Sequence, residues 1–375
     1  MYTLRCSPTF EHCLLDDFDQ SLRLGLSRLA NVQVDDLNWV QASLPVKDGG
    51  LGIRSVGLLA PSAFLASAAA TQDLQAQLLP VGCPCDPYLD SALDVWSGRY
   101  GSSEPQGTDR SKQRCWDQAS VDHGLKVLES HHSDPYHKAR LLASRNPDGG
   151  HWLHAWPISA CGLRLDDEAV RVAIGLRLGI DLCEEHDCPC GLKVDRGGSH
   201  GLSCRRGPGR IPRHDAINDI VYRALLKAQI PSQKEPRGLT RDGSDKRVDG
   251  CTLIPWQRGR SITWDVTIPD TLANSHLPRT SAVSGAAAEE ASLRKISKYT
   301  GVRQRYDFVA IAVESLGPIN EDGSIFLREI GKRLTTISGD PRETSFLLQR
   351  ISVTLQRYNA VAFRGSFQEV SGLTD

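Results

Sequence analysis

The chain has 375 residues, with 44 lysines and arginines against 45 aspartates and glutamates, so its formal charge of −1 excludes a bulk polycation. A hydrophobic content of 40% is enough for a sizeable core, and the length points to two or three domains. No apolar run approaches the roughly 18–20 residues of a membrane span, and the opening MYTLRCSPTF lacks the apolar stretch of a secretory signal.

The first third reads as helical. Phe10, Leu14, Leu15, Phe18, Leu22 and Leu29 recur at helical spacing and predict one apolar face. Pro45 and the Gly49-Gly50 pair break the pattern into a loop, and LLAPSAFLASAAATQDLQAQLL (58–79) resumes it. Residues 99–112, rich in Gly, Ser and Pro, read as a linker. Helical patterns return at 115–130, 134–144 and 165–178, where Asp166 or Asp167 is placed to cap and Gly179 to terminate.

Eleven cysteines are unevenly spread, and four fall in 183–204, CEEHDCPCGLKVDRGGSHGLSC. Cys188, Cys190, His200 and Cys204 are the expected ligands of a closed structural Zn²⁺ site. Three soft thiolates and an imidazole suit tetrahedral zinc, which cross-links a segment too small for its own core. The C-x-C spacing is tight for chelation by both thiolates, so Cys183 or His186 stands as an alternative to Cys190 or Cys188. A second C-x-C, Cys83-Pro84-Cys85, has no matching histidine and reads as a loop.

Arg205, Arg206, Arg210 and Arg213 follow within nine positions, with His214 next. Such a Gly/Pro-broken basic segment is suited to track a phosphate backbone. From His214 an amphipathic helix is expected, its face formed by Ile217, Ile220, Val221, Ala224 and Leu225.

Beyond it the pattern predicts a short strand at 229–236 ending in Glu235 and a Gly-rich polar loop at 237–247. A strand carrying Asp249 and a strand 261–268 carrying Asp265 come next. A helix 283–299 presents Lys295 and Lys298 on one face, and a strand 307–313 closes the series. The two aspartates sit in apolar runs, where an unpaired carboxylate is costly. Together Asp249, Asp265 and a lysine can hold a divalent metal and orient a water for phosphodiester hydrolysis. Glu235 is a candidate third acid, Lys295 is favoured over Lys298, and Glu314 reads as structural.

Residues 150–365 closely resemble the C-terminal part of non-LTR retrotransposon polyproteins that carry a restriction-like endonuclease. The carrying stretches are the Cys/His cluster, RH (213–214), EP (235–236), VDG (248–250), WDVT (264–267) and the K-x-x-K-Y run (295–299). Residues 39–70 resemble the segment after the reverse transcriptase palm of such proteins. The resemblance implies a PD-(D/E)xK fold, Mg²⁺ on Asp249 and Asp265, and a catalytic Lys295 or Lys298. It departs from the family pattern at Val248, where a proline is usual, at Thr267, where a lysine is usual, and in the C-x-C start of the cluster. Asp-Asp pairs at 16–17, 35–36 and 166–167 fit helix caps better than a polymerase centre, so reverse transcription by this chain is not expected.

The expected fold class is α+β. A helical post-polymerase region spans 1–98, a linker and helical region 99–182, a zinc knuckle 183–210 and a restriction-like mixed sheet flanked by helices 211–375. The expected function is Mg²⁺-dependent nicking of target DNA, with DNA and the element's RNA as partners, in the nucleus or cytoplasm and off the membrane. The alternative is a catalytically inactive, zinc-containing nucleic-acid-binding remnant.

Overall fold

A computed structural model describes residues 1–80, 88–239 and 247–367. The Cys83-Pro84-Cys85 motif and most of the polar loop at 237–247 lie outside the described residues. The fold class is α+β, and contacts divide the chain into two units, 1–133 and 134–375.

The first unit is helical among its described residues. Its main helices are α1 (Leu14–Ala30), α2 (Asp36–Ser43), α3 (Val56–Leu78), α4 (Tyr88–Tyr100) and α5 (Gln113–His131). Its core gathers Leu4, Phe10, Leu59, Ala63, Phe64, Trp96 and Trp116. Of the predicted apolar stripe, Phe10 and Leu15 join that core. Leu14, Phe18 and Leu29 are exposed, and Leu26 and Ala30 point inward instead. Periodicity located a face but could not tell which neighbour would cover it. The segment between α4 and α5 is irregular apart from one short helical turn. Across it the Trp96 and Trp116 rings pack edge to face at 5.1 Å, so both flanks share one core.

The second unit begins with α6 (Pro135–Ser144) and α7 (Asp167–Leu178). Asp166 caps α7 by accepting the Ala169 amide at 2.7 Å, and Gly179 ends it in the left-handed region. The other Asp-Asp pairs also stand at helix starts. Asp35 caps α2 in a capping box, and Asp16 and Asp17 lie in the first turn of α1.

A hairpin of β1 (His186–Asp187) and β2 (Lys193–Val194) precedes α8 (Arg210–Lys227). The helix starts four residues earlier than predicted. It tolerates Pro212 because a first-turn residue needs no amide donor. Next come β3 (Ser232–Lys234), β4 (Gly250–Thr252), β5 (Ile262–Thr267), α9 (Ala286–Lys298), β6 (Asp307–Ala312), α10 (Glu321–Ser338) and α11 (Glu343–Arg364). The four strands form one mixed sheet in the order β3-β4-β5-β6, antiparallel except for the parallel β5–β6 pair.

The core of this unit joins Ile217, Val221 and Leu225 of α8 to Trp264 and Val266 of β5, Ile311 of β6, and buried leucines and isoleucines of α10 and α11. Each such side chain contributes roughly 1.5–3 kcal/mol on burial. Gly250 is required at its place, because a Cβ there would run into the Trp264 ring across the ladder. Among the described residues, no helix is long and apolar enough to cross a membrane.

Candidate metal centre and cation-lined cleft

Cys188 and Cys190 lie on the β1–β2 turn, and His200 and Cys204 lie on the short helix that follows it. The four ligand atoms fall within 4.8 Å of one another. Cys188 Sγ lies 3.7 Å from Cys204 Sγ, and Cys190 Sγ lies 3.2 Å from His200 Nε2. A tetrahedron with Zn–S bonds of about 2.3 Å has S–S edges of about 3.8 Å. The donor set and spacing therefore fit a metal such as zinc. The tight C-x-C is accommodated by the turn, in which Cys188 exchanges backbone hydrogen bonds with Leu192 and Gly191. The Leu192 amide draws the Cys190 thiol down to about 7, whereas burial pushes the Cys188 thiol up to about 11.

The two alternative ligands are occupied elsewhere. Cys183 Sγ faces the carbonyls of Asp195 and Arg196. His186 bonds Ser366 Oγ at 3.2 Å and stacks on Phe367. Gly198, at φ 68°, lets the module press against the Phe363 ring of α11, where a Cβ would collide.

The aspartates meet on the sheet. Asp249 stands just before β4, and its amide donates to the Trp264 carbonyl at 3.0 Å. Its Oδ2 accepts the Val266 amide at 2.6 Å and lies 2.9 Å from His214 Nε2. His214 Nδ1 lies 3.0 Å from Asp215 Oδ1. Carboxylates only accept, so both ring nitrogens must donate. The hydrogen bond to Asp249 raises the imidazole pKa to about 9. The phosphate contact expected of His214 is thereby replaced by an ion pair with the candidate metal ligand.

Asp265 is 2% exposed, and Lys295 Nζ lies 2.5 Å from its Oδ2. That oxygen has no donor in hydrogen-bond alignment. Burial, and then the neighbouring Asp249 charge, push the Asp265 carboxyl pKa up, and Lys295 opposes the rise. The Tyr299 hydroxyl sits 2.6 Å from both Asp265 Oδ1 and the Arg247 carbonyl. Burial keeps that phenol neutral, its pKa raised above the usual value. Lys298 is exposed and donates to the Tyr299 hydroxyl at 3.0 Å. The two lysines therefore play different parts despite their shared spacing. Val248 is buried with Tyr299 and Val302.

Glu235 does not join the acids. Its backbone amide donates to the Asp249 carbonyl at 3.1 Å, but the residue is exposed in a left-handed turn at φ 47°. Among the described residues, only the Cys/His set brings three or more such ligands together. Glu314 accepts the Ala287 and Ala288 amides at 2.9 and 3.1 Å and so caps α9.

A cleft of about 420 Å³ opens beside the sheet end. Arg205, Arg210, Arg213, His214 and Lys295 line it, with Ile211, Val266 and Ile268 as its apolar part. Gly207 and Thr267 complete the wall, and no carboxylate belongs to it. Arg205 and Arg210 are exposed, and so is Arg206 just outside, whose guanidinium reaches the Pro189 carbonyl at 3.4 Å. Arg213 departs from the expected phosphate contact. It is 1% exposed, and it donates to Asn359 Oδ1 at 2.7 Å and to the Leu202 carbonyl at 3.1 Å. Its guanidinium ties α8 to the Cys/His segment and to α11. Tyr299 is the contact to Asp265 that the sequence does not announce, its only signal being its place after K-x-x-K.

No protein-family model matches the chain, and no curated protein matches its sequence.

Proposed function

We propose that the second unit is a metal-dependent DNA endonuclease of the restriction-like kind found in non-LTR retrotransposon polyproteins. The observation that carries this reading is the pairing of Lys295 with Asp265 beside Asp249, at the mouth of a cleft with a wholly cationic charge lining. The donor set suits Mg²⁺, which takes one or two carboxylates and otherwise water and phosphate oxygens. When bound, the metal supplies Lewis-acid polarisation of the phosphoryl group and a more acidic water.

The chain's own residues then have defined tasks. Asp249 and Asp265 hold the cation, and the Val266 amide and Tyr299 hydroxyl fix their rotamers. Lys295 hands its charge from Asp265 to the phosphate as negative charge develops there. Arg205 and Arg210 hold the flanking backbone. The Cys/His module, carrying zinc, anchors the arginine segment to α11.

The test is nicking of supercoiled plasmid with added Mg²⁺, with Asp265→Asn as control. Nicking by the native chain that the variant lacks supports the reading; a well-folded native chain that never nicks defeats it. One observation favours the second reading, a non-cutting nucleic-acid-binding remnant. His214 and Lys295 already neutralise the two carboxylates without any cation.

A further inference from the structure

Resting on that reading of the cleft, we propose that Ile211 is a wedge that unstacks the DNA base beside the cut phosphate. The cleft wall has two characters. Arg205 and Arg210 offer exposed charge that an anion complements, beside His214 and Lys295, whose charges are shared with Asp249 and Asp265, and no carboxylate lines the cleft itself. Among them stands Ile211, an aliphatic side chain 72% exposed on the first turn of α8. Its immediate neighbour Arg210 is exposed and basic, so a phosphate drawn to Arg210 brings its base to Ile211.

Size sets the class of substrate. A volume of about 420 Å³ is far below what a duplex some 20 Å across would occupy, and matches a single nucleotide. A nucleotide seated in the cleft with its phosphate against Lys295 has left the regular helical path of its strand. Proteins that kink DNA insert aliphatic side chains between base steps and meet an unstacking cost of a few kcal/mol per step. Ile211 is placed to fill the gap such a step leaves, recovering apolar burial in return.

The experiment measures binding of the full chain to two DNAs of one sequence, one fully paired and one with a two-nucleotide mismatch bubble. Mg²⁺ is not added, so the strands stay intact. Ile211→Ala is expected to bind the paired duplex roughly tenfold more weakly than the native chain and to bind the bubble equally well, because the bubble is already unstacked. Ile211→Leu should restore paired-duplex binding. Arg210→Ala should weaken both DNAs alike. Equal binding of both DNAs by native and Ile211→Ala chains, or an equal loss on both, overturns the wedge. No binding to either DNA overturns the wedge together with the DNA-substrate part of the reading. An intact wedge pattern without nicking on later addition of Mg²⁺ overturns the nuclease reading alone.

Discussion

Asp249 stands one residue before the Gly250–Trp264 pair that ends the β4–β5 ladder, close enough to Asp265 for its charge to push the Asp265 carboxyl pKa up. The Asp249 side chain takes the Val266 amide that continued pairing would have used. Two acids at separate sequence positions thus become one electrostatic unit, and each acquires its own cation, His214 or Lys295.

The two lysines should separate cleanly. Lys295→Met is expected to lower nicking by about a hundredfold or more, the scale of losing one charge-stabilising donor. Lys298→Met, on an exposed residue that bonds Tyr299, should cost only severalfold. Plasmid nicking rates of the two variants at saturating Mg²⁺ decide it, and a larger loss at Lys298 would contradict the assignment.

Stripping the Cys/His metal should destabilise the second unit, because binding free energy at such a site is folding free energy. Cys204→Ser should lower the melting temperature by several degrees, at about 2–4 °C per kcal/mol for a unit of this size. Calorimetry with a zinc-release dye reads both quantities. A chain that melts unchanged after complete chelation has no structural metal there.

The His214–Asp249 pair makes stability depend on pH in the absence of added divalent cation. The imidazole pKa is raised in the folded chain from the ordinary 6.5 to about 9. Its stabilisation is therefore fully present below about 6.5 and is lost as pH rises through about 9. His214→Gln should flatten the decline in denaturant midpoint across that window, and NMR titration of the native ring should give the raised value directly. An ordinary titration near 6.5 would break the pair.

Neighbouring arginines should give opposite phenotypes. Arg213→Ala leaves Asn359 Oδ1 and the Leu202 carbonyl buried without their donor, at a cost of roughly 1–3 kcal/mol for each group left unpaired. Arg210→Ala should leave stability within about 0.5 kcal/mol, while reducing the salt dependence of DNA binding by about one ion. Urea unfolding and a salt series on both variants test the contrast.

Local chemistry made much of the second unit legible. The order from α8 through β6 follows from apolar runs broken by Gly and Pro, and Asp166, Gly179 and the Cys/His set announce themselves by residue type and spacing. The two C-terminal helices, α10 and α11, follow the last strand and carry none of the site motifs. They supply much of the core and the Phe363 and Asn359 contacts. The α1 stripe failed in part for a related reason, since a pattern records amphipathicity but not the partner. Arg213 failed because a charged residue's burial is set by distant elements that no local window contains, and Glu235 because the left-handed turn at the end of β3 leaves it exposed.

By itself the sequence determined which groups are available to a site, namely three thiols and an imidazole in one short segment, two acids at neighbouring strands, and lysines on the helix after them. Only the tertiary structure decided their allegiances. It gave Lys295 to Asp265 and Lys298 to Tyr299, gave His214 to Asp249, and buried Arg213 among carbonyl and amide groups. Residue type is local, whereas ion pairing and desolvation depend on groups 30 to 150 positions away, brought together only when the core closes.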